Sequence, residues 1–143
     1  MSTKTVDPDQ VIVTFAGIPL SGFAEGTFIN VSQDNESFNT TQGSDGELAR
    51  VKSGQSLTTV TLTLMQTSDS NDALAALHTL DVEAPNGAGV GPFTISDLNG
   101  RSVLTSVEAW IKTRPDSAWG NEAQTREWEF HLGEPKGLFP AGN

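Results

Sequence analysis

Leu57-Thr58-Thr59-Val60-Thr61-Leu62-Thr63-Leu64-Met65 decides the fold class of this chain. In an extended strand successive side chains point to opposite faces. Thr58, Val60, Leu62 and Leu64 therefore share one face, and Thr59, Thr61 and Thr63 share the other. β-Branched threonine keeps the strand propensity while leaving its face wettable and uncharged. A strand with an apolar back and a hydroxyl front suits a sheet that packs on one side and meets water on the other.

Upstream, Val11-Ile12-Val13-Thr14-Phe15 reads as a short strand ended by Gly17 and Pro19. Thr27 to Asp34 alternates as well, with Thr27, Ile29 and Val31 on one face and Asn30, Ser32 and Asp34 on the other. Between this strand and the threonine strand lies a long polar excursion, about residues 34–54, with turn chemistry at Gly43-Ser44-Asp45-Gly46. Its mixed charges are Asp34, Glu36, Asp45 and Glu47 against Arg50 and Lys52, with Phe38 among them. Loops this long are uncommon inside compact domains. The excursion is expected to project and to reach a neighbouring subunit.

Downstream, Ser68, Asp69 and Ser70 supply N-caps, and Asp72 sits where the helix dipole favours an anion. Ala73, Leu74, Ala76, Leu77 and Leu80 form an apolar stripe, so a helix is expected over about 70–80. Phe93–Leu98 and Arg101–Thr105 flank Asn99-Gly100, a strong hairpin signal because both turn positions need positive φ. The second arm is expected to continue through Val107, Ala109 and Ile111, alternating with Glu108, Trp110 and Lys112. Residues 114–125 read as a loop. In the last strand Trp128, Phe130 and Leu132 point inward, and Glu127, Glu129 and His131 outward. The arms at about 1–10 and 136–143 are expected to be loose. Together these elements describe a single domain, 1–143, mainly β: two packed antiparallel sheets or a partly open β-barrel with one flanking helix.

The composition narrows function mostly by exclusion. Eighteen acidic and eight basic residues give a net charge of -10. Such a chain lacks the clustered cations that grip phosphates. With no cysteine, disulfide frameworks, thiolate metal sites and cysteine nucleophiles are excluded. No apolar run is long enough for a membrane span, and the N-terminus has no apolar leader segment, so a soluble chain made in the cytoplasm is expected. His78 and His131 are each expected to be ordinary packing or surface residues. Asp69-Ser70-Asn71-Asp72 has calcium-ligand types without the calcium-loop spacing, and helix capping accounts for it. Gly87-Ala88-Gly89-Val90-Gly91 precedes a strand rather than a helix, which argues against a phosphate cradle. No catalytic, metal or cofactor motif emerges, and neither an enzyme nor a cofactor is expected.

The order strand, long polar loop, Thr-rich strand, Ser/Asp-capped helix, hairpin and final strand resembles the tail tube proteins of long-tailed bacteriophages. The likeness is to the contractile-tail type, to which secretion-system tube proteins are related. The wording is closest at Gly43-Ser44-Asp45-Gly46-Glu47 through Arg50, at Thr59-Val60-Thr61-Leu62-Thr63-Leu64, and at Ser68-Asp69-Ser70-Asn71-Asp72-Ala73-Leu74. The resemblance implies hexameric rings whose subunits add strands to a continuous barrel around a channel. It also implies a tape measure protein in the lumen, and sheath, baseplate and tail terminator proteins as further partners. DNA would pass without specific binding, in a virion tail assembled in the host cytoplasm. On that reading Asp34, Glu36, Phe38, Asp45, Glu47, Arg50 and Lys52 are candidates for contact between rings. Asn30, Ser32, Thr59, Thr61 and Thr63 are candidates for the lumen face. A monomeric β-sandwich binding module, with Trp110, Trp119 or Trp128 as a stacking platform, and a tube protein of a bacterial injection system are the alternatives.

Overall fold

The structure, a computed structural model, describes residues 5–34, 36–52, 54, 57–98 and 100–141. Its strands are β1 (Val11–Phe15), β2 (Ile18–Leu20), β3 (Ile29–Gln33), β4 (Phe38–Gln42), β5 (Leu48–Lys52), β6 (Leu57–Met65), β7 (Gly91–Asp97), β8 (Val103–Thr113) and β9 (Thr125–Gly133), with the helix α1 (Ser70–Glu83) between β6 and β7. Seven strands form one antiparallel sheet in the order β2-β1-β7-β8-β9-β6-β3, and β4 and β5 form a separate two-stranded sheet. The fold is mainly β, with two antiparallel sheets, one α-helix and a main sheet that does not close.

The threonine strand sits where its alternation places it. Thr58, Val60, Leu62 and Leu64 are buried and Thr59, Thr61 and Thr63 half-buried. β6 pairs with β9 along its whole length, from Leu57↔Gly133 to Met65↔Thr125. Trp128, Phe130 and Leu132 of β9 are buried on the same side. Phe15 from β1, Phe93 from β7 and Phe130 from β9 meet in one aromatic cluster, with Phe15 and Phe130 ring centroids 5.2 Å apart. In the sheet β1 and β9 are three strand steps apart, which would be about 14 Å on a flat sheet. The sheet is therefore strongly curled around its apolar face, and a single core cluster joins residues from β1, β2, β6, β7, β8, β9 and α1.

Helix α1 is attached by its first turns. Leu74 is fully buried in the core, whereas Leu80 and Val82 are 53% and 70% exposed. The expected apolar stripe is therefore covered only at its N-terminal end. Asp69 stands at the N-cap, but its side chain makes no cap hydrogen bond, and the neighbouring Ser and Asn side chains hold the helix start instead. Ser68 Oγ accepts from the Ser70 amide and donates to the Ser21 carbonyl, and Ser70 Oγ accepts from the Ser21 amide. Asn71 Oδ1 accepts from the buried Trp128 indole at 2.9 Å. At the other end the Asp81 carboxylate accepts from the amides of Ala88 and Gly89. Gly89 lies so close to Asp81 that a Cβ there would collide with it.

Three expectations change. The excursion at 34–54, read as a loop, contains the hairpin β4–β5, all ten strand residues of which are exposed. Polar residues wet on both faces show no alternation, and the pattern hid the strands. The continuous alternation expected through Val107 is broken by a bulge: Phe93 pairs with Ser106 but Gly91 with Ala109. Ser106 is buried, donates to the Gly133 carbonyl at 2.6 Å and accepts from the Glu108 amide, leaving Val107 77% exposed. The C-terminal segment, expected to be loose, is tied to β8 as far as the structure describes it. Lys136 exchanges two backbone hydrogen bonds with Thr105, the Val103 amide donates to the Leu138 carbonyl, and Phe139 packs against the core. Gly137, at φ +116°, passes so close to the Val103 carbonyl that no side chain fits. The expected hairpin register holds at Ser96↔Val103, although Asn99 lies outside the described residues.

Candidate assembly surfaces

The outward face of β3, β6 and β9 is one continuous polar surface. Across it Asn30 pairs with Thr61 and Thr61 with Glu129; Ser32 pairs with Thr59 and Thr59 with His131; Thr63 pairs with Glu127. The five residues expected on a lumen face therefore lie together, extended by the outer residues of β9. Asp34, a candidate for contact between rings, lies at this face: its carboxylate accepts from Thr59 Oγ1 at 2.8 and 3.0 Å. His131 Nε2 lies 3.8 Å from Asp34 Oδ2, and the Trp110 ring stands edge-on to the imidazole. Lys112 Nζ faces Glu129 at 3.6 Å. Both partners are substantially exposed, so this pair is worth little to stability.

The hairpin presents the other candidates. Register places Phe38 opposite Lys52, Thr40 opposite Arg50 and Gln42 opposite Leu48. The Arg50 guanidinium stacks over the Phe38 ring at 4.3 Å, a cation–π contact that holds two long side chains in place on a wet surface. Asp45 and Glu47 build the tip: the Gly43 amide donates to the Glu47 carbonyl and the Glu47 amide to the Asp45 carboxylate. Glu36 is exposed on the approach to β4. Phe38, Arg50 and Lys52 thus share a face, Asp45 and Glu47 share the tip, and Asp34 stands apart from both.

Sequence reasoning missed a groove of about 690 Å³ beside the base of the hairpin. Its floor comprises Ile29, Val31, Leu104 and Phe139, and Lys52 and Lys136 stand at its sides. It exists because the C-terminal segment pairs antiparallel with the start of β8, an event with no local signal in the sequence. Among the described residues no group of three or more His, Cys, Asp or Glu is placed to hold a metal ion. None of the described helices is long and apolar enough to cross a membrane.

The family model described as bacteriophage PhiTE tail tube protein matches residues 15–137. The chain belongs to the phage tail tube family. A curated relative, structural protein ORF10 of Pseudomonas phage KPP10, is 36% identical over 136 residues, covering 91% of this chain and 79% of the relative. Among solved structures, the tube-terminating cap of the anti-feeding prophage superposes with a TM-score of 0.62 at 13% identity, covering 95% of this chain and 92% of that one. The sheath/tube terminator of an extracellular contractile injection system (PVC) gives 0.59 at 15% identity, with 95% and 98% covered. A chain of the PVC sheath–tube complex gives 0.56 at 17% identity, with 94% and 93% covered. At these identities the likeness is one of fold. The tail tube protein described here is accordingly a structural component of the phage virion, related in fold to contractile injection system proteins.

Proposed function

We propose that copies of this tail tube protein close into rings, hexameric as the resemblance implies, which stack into the inner tube of the tail and let DNA pass. The observation that carries the reading is the unclosed main sheet with a wet outer face. Edge strand β2 is short and carries Pro19, which blunts it. Edge strand β3 has no proline and pairs only with β6 among the described strands. An open edge of this kind invites a strand from another copy, and cyclic closure satisfies every edge at once. The face bearing Asn30, Ser32, Thr59, Thr61 and Thr63 then turns to the channel, where uncharged hydroxyls and the carboxylates of Glu127 and Glu129, the latter beside Lys112, offer DNA phosphates little grip. The hairpin candidates Glu36, Phe38, Asp45, Glu47, Arg50 and Lys52 meet the neighbouring ring.

The partners follow from that role. The fold shared with sheath–tube, terminator and cap assemblies supports contact with a sheath and a terminator. A tape measure protein in the lumen and a baseplate at the tube end complete the set, with assembly in the host cytoplasm. The role needs no catalysis and no cofactor. Negative-stain microscopy of the purified protein is expected to show rings and tubes; a species that stays monomeric at every concentration and salt overturns the reading. The binding-module alternative is disfavoured by Trp128, which is 3% exposed and hydrogen-bonded to Asn71. The fold likeness to injection-system proteins keeps one second reading in view, a tube serving such a system. A gene neighbourhood with sheath and tape measure genes among other phage genes would decide against it.

A further inference from the structure

Two features toward opposite ends of the subunit match in apolar character and are opposite in charge. Trp119 lies in the connection between β8 and β9 and is 78% exposed. One face of its ring lies over the buried Arg126 guanidinium at 5.7 Å, which props the indole outward. Arg126 pairs with Leu64 at the start of β9, so Trp119 belongs to that end of the sheet. The groove opens at the other end, where Pro135 and Lys136 line it beyond the Leu57↔Gly133 pair, and it runs back along β3 to Ile29, which pairs with Leu62. β9 has nine residues, which separates the two ends by roughly 27 Å. The indole is flanked in sequence by exposed Asp116 and Glu122, with Arg114 further back. The groove is flanked by exposed Lys52 and Lys136. In a chain with eight basic residues and a net charge of -10, two ammonium groups beside one apolar groove are a local exception.

We propose that Trp119 of one copy seats in the groove of a second copy in the adjacent ring, with Asp116 and Glu122 facing Lys52 and Lys136. A knob at one end and a hole at the other make a heterologous contact that propagates along an axis instead of closing on itself. The groove holds ample volume for an indole, and a fully desolvated tryptophan is the residue type most often found to anchor an interface. This inference rests on the tube reading and adds to it the pair of surfaces that sets the stacking direction.

The absence of cysteine makes the test direct. The Trp119→Cys, Phe38→Cys double variant, oxidised as assembled full-length chain, is expected to give a ladder of linked subunits on a non-reducing gel, while each single variant gives dimers at most. Trp119→Ala is expected to raise the concentration needed for tube formation about tenfold or more, the factor for losing an aromatic anchor. Lys52→Glu with Lys136→Glu is expected to shorten tubes, and Asp116→Lys with Glu122→Lys in the same chain to restore them. Circular dichroism of each unassembled variant separates misfolding from lost contact. If the wild type forms no tubes, the tube reading itself fails. If the wild type forms tubes and Trp119→Ala forms them equally well, with no ladder from the double variant, the seating of Trp119 is overturned and the tube reading stands.

Discussion

Phe130 touches both Phe15 and Phe93, and through them it holds the curl that brings β9 against β1. Phe130→Ala is expected to cost about 3–5 kcal/mol, because the lost transfer energy is joined by a cavity that the tightly curled sheet cannot collapse into. Phe130→Leu should cost markedly less, and urea denaturation followed by far-UV circular dichroism measures both. Asn71 works differently. Its side chain accepts from the Trp128 indole and donates to the Met65 and Ser68 carbonyls, so it clamps the start of α1 to the end of β6 and to β9. Asn71→Ala strands a buried N–H and is expected to cost about 1–3 kcal/mol, with a changed tryptophan emission as its signature. The two residues also differ in how legible they are. Phe130 declares its direction by alternating with Glu129 and His131, whereas the Asn71–Trp128 bond spans 57 residues and nothing local announces it.

At the scale of elements, legibility followed burial. Strands with one dry face, β6 and β9 above all, could be read from their period. The hairpin β4–β5 could not, because Asn39, Thr40, Thr41 and Gln42 face water on either side and mimic a loop. The same exposure makes the hairpin dispensable to the fold. Replacing residues 38–52 with a short Gly-Ser linker is expected to change Tm by no more than about 4 °C, as for surface changes worth under 1 kcal/mol. Stacking of rings into tubes should be lost, as electron microscopy or sedimentation would show. A linker variant that still forms long tubes would remove the hairpin from the contact between rings. The β8 bulge was hidden for another reason. Val107 continues the apolar pattern in sequence, and only the buried Ser106 hydroxyl, bonded to the Gly133 carbonyl and the Glu108 amide, shifts the phase. Ser106→Ala is therefore expected to destabilise by about 1–3 kcal/mol despite deleting a single oxygen.

At the scale of the whole molecule, the sheet's outer face is where sequence and assembly meet. Threonines at 59, 61 and 63 are paired with Ser32, Asn30 and the outer residues of β9, so whatever they face is met by hydroxyls, amides, carboxylates and the His131 imidazole. The alternation predicted this clustering, but no sequence pattern states that the sheet stays open or that a groove forms where the C-terminal segment pairs with β8. Those depend on contacts between strands far apart in the chain. If the face lines a channel for DNA, the uncharged row of Thr59, Thr61 and Thr63 is a functional property and can be reversed. Thr59→Lys, Thr61→Lys and Thr63→Lys together leave the buried side of β6 untouched, so the variant is expected to fold and to form tubes. Every subunit then presents three ammonium groups to the phosphates, and each phosphate contact steepens the fall of binding with salt by about 0.9 on a log–log scale for duplex DNA. Tubes of this variant are expected to retain DNA at low salt and release it at high salt, measured by co-sedimentation with short duplexes, while wild-type tubes retain none. Lysine tubes that ignore DNA would place these three residues outside the channel.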